Sequence, residues 1–195
     1  MKKLLTFLII AALAVSMAAC TPKNNDSSPS ESSSVSESTD TSTETDSSEE
    51  SEPDIEIPEE NKKLGNIISA ARTDEMNDAV NIIMSKDDPQ AKLVFETTGL
   101  NPDDMDAYAI SISMVNIKAY GVAIIKPAEG KSEAVLAAVN GFVEQEKKAF
   151  EQYLPDQKEI ANSATVDTLK DGTIVLVMSE DGATVQKSIL DALKK

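Results

Sequence analysis

The chain has 195 residues, with 34 acids against 18 bases, a net charge of −16, one cysteine, and neither histidine nor tryptophan. Without histidine it lacks the commonest general base near neutral pH and the commonest metal ligand, which excludes histidine triads and most zinc sites. A single cysteine excludes an internal disulfide, and the excess of acids disfavours nucleic acid as a partner.

The chain opens with Lys2 and Lys3, an apolar stretch from Leu4 to Val15, and the segment Met17-Ala18-Ala19-Cys20. The stretch is shorter than the roughly 20 apolar residues a spanning helix needs, so it reads as a secretory signal. Small residues directly before a cysteine suit the peptidases that process lipoproteins, and the thiol then receives a diacylglyceryl group. Residues 1–19 are therefore predicted to be a lipoprotein signal peptide, with Cys20 as the lipidation site. Lipidation also accounts for a lone thiol in a secreted chain. Two acyl chains anchor stably where one binds only marginally. The mature protein is expected on the outer face of the cell membrane of a Gram-positive bacterium, its membrane contact being the diacylglyceryl anchor.

Residues 20–60 combine the lipidated cysteine with a stretch of Ser, Thr, Asp, Glu and Pro whose only aliphatics are Val35, Ile55 and Ile57. Such a segment cannot bury enough apolar surface to offset chain entropy and is predicted to be a disordered tether. It holds 13 acids against Lys23 alone, so most of the negative charge lies here and residues 61–195 carry −6. Self-repulsion extends such a tether and holds the domain away from an anionic membrane surface.

Residues 61–195 have the length of one domain. Leu64, Ile67, Ile68 and Ala71 recur at helical spacing, while Val80 to Met84 fits either a helix or a short strand. Asp87-Asp88-Pro89 reads as the start of a helix that runs to Thr98 and stops at Gly99. Ile110, Ile112 and Met114 alternate with Ala109, Ser111 and Ser113, which predicts a strand from Tyr108 with one buried and one nearly polar face. Tyr120 to Lys126 repeats the alternation and completes a hairpin.

Ser132 to Tyr153 is the longest predicted helix, with Val135, Val139, Phe142, Val143, Phe150 and Tyr153 on one side and Pro155 as its end. Gly141 inside it costs stability, which points to close backbone packing. A second hairpin joins Thr165–Leu169 to Thr173–Ser179 through Asp171-Gly172, a pair suited to a primed turn. The run Ile174 to Met178 is apolar on both faces and predicts a central strand. Val185, Ile189, Leu190 and Leu193 define a last helix. The fold expected is α+β: an antiparallel sheet of two hairpins in a ββαββα core, helices packed on it, preceded by N-terminal helices.

Tyr108, Lys126, the Phe150-x-x-Tyr153-Leu154-Pro155-x-Gln157 segment and Asp171-Gly172 together resemble a family of Gram-positive, mainly clostridial lipoproteins classed only as a domain of unknown function. The resemblance covers most of the domain and implies a surface lipoprotein with no known reaction.

The domain has no thiol, no Gly-x-Ser-x-Gly elbow and no Ser-x-x-Lys pair of the penicillin-binding type. Gly130-Lys131-Ser132 sits where a phosphate loop would end, but Ile125 stands where that loop needs a glycine. Asp103, Asp104 and Asp106, and Asp87 and Asp88, could supply oxygens to calcium. Asn101-Pro102 ahead of acids, however, has the form of a helix start. No catalytic, cofactor or metal residue is assigned.

The function expected is a non-enzymatic binding or interaction module that meets a protein, peptide or cell-wall partner, with Ser111 and Ser113 as a candidate contact face. The alternatives are a cell-envelope hydrolase working through carboxylates and a small-solute receptor.

Overall fold

The computed structural model describes residues 55–194; the predicted signal peptide, Cys20 and nearly all of the tether lie outside them. Six α-helices and four strands follow one another along the described chain. They are α1 (Glu59–Ala71), α2 (Asp74–Ala79), α3 (Ala91–Thr98), β1 (Met105–Ile112), β2 (Gly121–Pro127), α4 (Ser132–Ala149), α5 (Pro155–Asn162), β3 (Thr165–Thr168), β4 (Ile174–Met178) and α6 (Gly182–Leu193).

The sheet is antiparallel throughout, in the order β1-β2-β4-β3, so the two predicted hairpins meet along β2 and β4. Period-two alternation sorts each strand into two layers. Tyr108, Ile110, Ile112, Ala123, Ile125, Ile174, Leu176 and Met178 face a core built with α3, α4 and α5. Ala107, Ala109, Val122, Ile124, Val175 and Val177 face a second core with Leu64 and Ile68 of α1 and Val185 and Ile189 of α6. The expected α+β fold is present, in three layers.

Helices on both faces overturn the prediction that β1 has a polar side. Ser111 is 0 % exposed, because α1 covers the face that the small residues Ala107, Ala109 and Ser111 present. A contact surface at Ser111 is therefore excluded, and Ser113 lies past the strand, with its hydroxyl on the backbone of Val115. Val80 to Met84 forms no regular element. It runs along the outer edge of β1, with Ile83 and Ile110 exchanging backbone bonds at 2.7 and 3.0 Å.

Asn61 fastens this layer. It is 3 % exposed; its Nδ2 donates to the Met84 carbonyl at 2.7 Å, and its Oδ1 accepts from the Tyr108 amide at 3.0 Å. One side chain thus ties α1 to the edge segment and to β1.

Element ends differ from the sequence reading in four places. The first helix starts at Glu59, with Glu59 and Glu60 in its positively poled first turn. The helix after Pro89 begins at Ala91, because Asp88 Oδ1 accepts the Gln90 amide at 2.7 Å and holds residues 88–90 as a turn. The long helix ends at Ala149: Phe150 stays in the core, while Tyr153 lies outside the helix and is 55 % exposed. Pro155, read as a stop, instead occupies the first turn of α5, where its missing N–H costs nothing.

Two glycine readings change as well. A Cβ on Gly141 would meet nothing within 4 Å, so no close packing explains it. In the β3–β4 loop, Gly172 has φ +85° and its amide donates to Leu169 O at 3.0 Å, while Asp171 is not in the left-handed region. This is a three-residue loop closed by a left-handed glycine rather than a primed two-residue turn.

Candidate functional site

The chain's only arginine, Arg72, leaves α1 as its C-cap residue, where a cation suits the negative end of the helix dipole. Its guanidinium reaches across the end of the sheet. Nε donates to Asn77 Oδ1 at 2.6 Å, Nη1 to Ser111 Oγ at 2.7 Å and to Tyr120 Oη at 3.0 Å, and Nη2 to the Val80 carbonyl at 2.7 Å. Ser111 in turn donates to the Asn81 carbonyl at 2.8 Å. Four of the five guanidinium N–H donors are spent, and every acceptor is neutral.

No carboxylate of the described residues lies within ion-pair distance of Arg72. The group is partly buried, held in place by four hydrogen bonds, and offset by no carboxylate of the described residues. A structural tie alone would be served as well by a carboxylate partner, whose charge would offset desolvation.

Arg72 and Tyr120 line a cleft of about 570 Å³ at the end of the sheet, walled by α2, α5, the start of α6 and the segments beside them. Lys118 adds a second cation, and Glu75, Glu180 and Asp181 add three exposed carboxylates. Gln157 closes one side: its Oε1 accepts the Ala119 amide at 2.9 Å and so holds the β1–β2 connection against α5. That helix is entered through Leu154, at φ 51° the one non-glycine residue of the described chain with positive φ. Such a conformation costs on the order of 1–3 kcal/mol and persists only where its surroundings enforce it.

The acids singled out in the sequence part company. Asn101 Oδ1 accepts the Asp103 amide at 3.1 Å, and Pro102–Asp104 forms a short 3-10 turn, so the capping reading holds. Asp104 pairs with Lys131 at 2.8 Å, which raises the lysine's pKa and occupies the amine of the phosphate-loop look-alike. Asp87, Asp103 and Asp106 meet Glu56 around a groove of about 430 Å³ that Tyr108 also lines. Burial, helped by the charges of Asp87 and Asp88, pushes the Tyr108 hydroxyl up to about 12. No group of three or more acids or cysteines among the described residues is arranged to hold a metal.

Of the residues that carry the family resemblance, Tyr108 edges this acidic groove and packs edge-on to Phe95 at 5.6 Å. Lys126 pairs with Glu60, lowering that carboxyl's pKa, and Gln157 reaches the Arg72 cleft. The sequence reading missed Arg72, Asn77 and Asn61. Its one available signal was a solitary arginine directly after an amphipathic helix.

The described chain is therefore a three-layer domain with an antiparallel central sheet and a ligand-sized cleft organised by an uncompensated arginine. Residues 84–179, which are 96 of the 195, match the family model described as a domain of unknown function, DUF4358. The match takes in the four strands with α3, α4 and α5, and within the cleft Lys118, Tyr120 and Gln157; Arg72, Asp181 and the helices α1 and α6 fall outside it. No curated protein and no solved structure matches the chain.

Proposed function

We propose that the protein is a lipid-anchored, extracytoplasmic binding module, with the Arg72 cleft as its ligand site. Support for the anchor comes from the apolar leader ending in Met17-Ala18-Ala19-Cys20 and from the acidic tether behind it. No helix among the described residues is long and apolar enough to cross a membrane. Replacing Cys20 by alanine is expected to release the protein into the medium; retention of the variant in the membrane fraction would remove the anchor from this reading.

The observation that carries the binding function is the guanidinium of Arg72, fixed by four hydrogen bonds to neutral acceptors and left without a carboxylate among the described residues. An oriented charge of this kind is prepared for an anionic group on a ligand. The test is a thermal-shift screen of the full chain against amino acids, peptides, sugars and cell-wall fragments, repeated on Lys118→Glu. A ligand that stabilises the native chain but not the variant supports the cleft. Stabilisation equal in both places the site elsewhere.

A hydrolase acting on envelope material is the competing reading, and it draws on Glu75, Glu180 and Asp181 sharing one cleft. All three are exposed, whereas the general acid of glycoside hydrolysis is kept protonated by burial. Turnover of cell-wall polymer that Glu180→Gln abolishes would displace the binding reading.

A further inference from the structure

The charges around the cleft narrow the kind of ligand it takes. One N–H of the Arg72 Nη2 is unspent, and Tyr120, 2 % exposed on the cleft wall, accepts from Arg72 without donating to any described residue, so its hydroxyl proton is unspent as well. A charged N–H and a phenol on one cleft wall suit a carboxylate. The rest of the lining has the opposite bias: Glu75, Glu180 and Asp181 outnumber Arg72 and Lys118. A lining that is net negative repels a phosphate dianion or a dicarboxylate, yet favours an ammonium.

Resting on the reading of this cleft as a ligand site, we propose that it binds a zwitterion, namely an amino acid or a short peptide with both ends free. The carboxylate lies on Arg72 and Tyr120, and the ammonium faces the acids at the start of α6. The volume of about 570 Å³ falls within the range of small-molecule sites, about 300–1,000 Å³. That favours a peptide of two or three residues over a free amino acid.

Calorimetric titration of the purified full chain tests this with alanine, alanyl-alanine, N-acetyl-alanyl-alanine, alanyl-alanine amide and inorganic phosphate. Alanyl-alanine is expected to bind, more tightly than alanine, and blocking either end is expected to weaken it at least tenfold. In Glu180→Gln/Asp181→Asn, which changes only exposed side chains, acetylation should no longer matter while amidation still does. Alanine binding as tightly as alanyl-alanine would reassign the ligand to a free amino acid. Phosphate or the acetylated peptide binding as well as the free peptide would overturn the zwitterion and leave the cleft as a site for anions. Silence from all five probes overturns it too; if the broader thermal-shift screen is also silent, the binding reading falls with it.

Discussion

Asn61 offers a sharp test of how the layers are held. Asn61→Ala strips a partner from two backbone groups, the buried Tyr108 N–H and the part-buried Met84 carbonyl. Each such group costs about 1–3 kcal/mol when left unsatisfied, which sums to about 2–6 kcal/mol. Alanine returns a few tenths through its better helix propensity, for a net loss of roughly 2–5 kcal/mol. With a mid-range urea slope of about 2 kcal/mol/M, the midpoint should fall by about 1–2.5 M. Asn66, one turn along the same helix and exposed, is the control: Asn66→Ala gains the same propensity and loses no buried bond. Urea unfolding followed by circular dichroism measures both. If the two variants unfold within about 0.5 kcal/mol of each other, the buried cross-links contribute nothing and the reasoning fails.

Two of the three glycines with open space around them should answer the same substitution with opposite signs. Gly141→Ala, in a helix with empty space around it, is expected to stabilise by about 0.5–1 kcal/mol, and Gly172→Ala, at φ +85°, to destabilise by about 1–2 kcal/mol; equal signs in urea titrations would contradict this. Burial raises the pKa of Glu146 above its ordinary value, so the folded state holds that proton longer than the unfolded state does. Stability is then lost as pH rises through the carboxyl's titration range, and Glu146→Gln should raise the melting temperature at pH 7 more than at pH 4; an equal rise at both would count against burial as the cause. Phe142→Ala opens the core between α4 and the sheet, where the ring lies about 3.0 Å from a Cβ built on Gly121. A loss of about 3–5 kcal/mol is expected, and a loss under 1 kcal/mol in calorimetry would mean that the layers are looser than described.

Local patterns carried most of the fold. The alternation in β1 and β2, the doubly apolar run Ile174 to Met178 and the helical spacing of α4 and α6 each led to the right element, because each period reports a face that its own residues bury. What escaped depended on partners far off in sequence. Ser111 reads as polar until α1 is laid over it and Arg72 is found to need it, 39 residues away. Pro155 starts a helix as readily as it stops one, and only the strained Leu154 before it decides which. The cleft was illegible for the same reason: Arg72, Tyr120, Gln157 and Asp181 belong to no common motif, and the sheet's end brings them together.

The packing of α1 against α6 has a consequence for how the domain comes into being. The first of the described helices to be made finds its neighbour only when the last of them has followed, with all four strands between them. Until then Leu64 and Ile68 have only part of their cover, and the closing contact has to span nearly the whole domain. A chain wired in this way completes its fold late, which accords with the export proposed above, since a chain must stay unfolded until it has crossed a membrane.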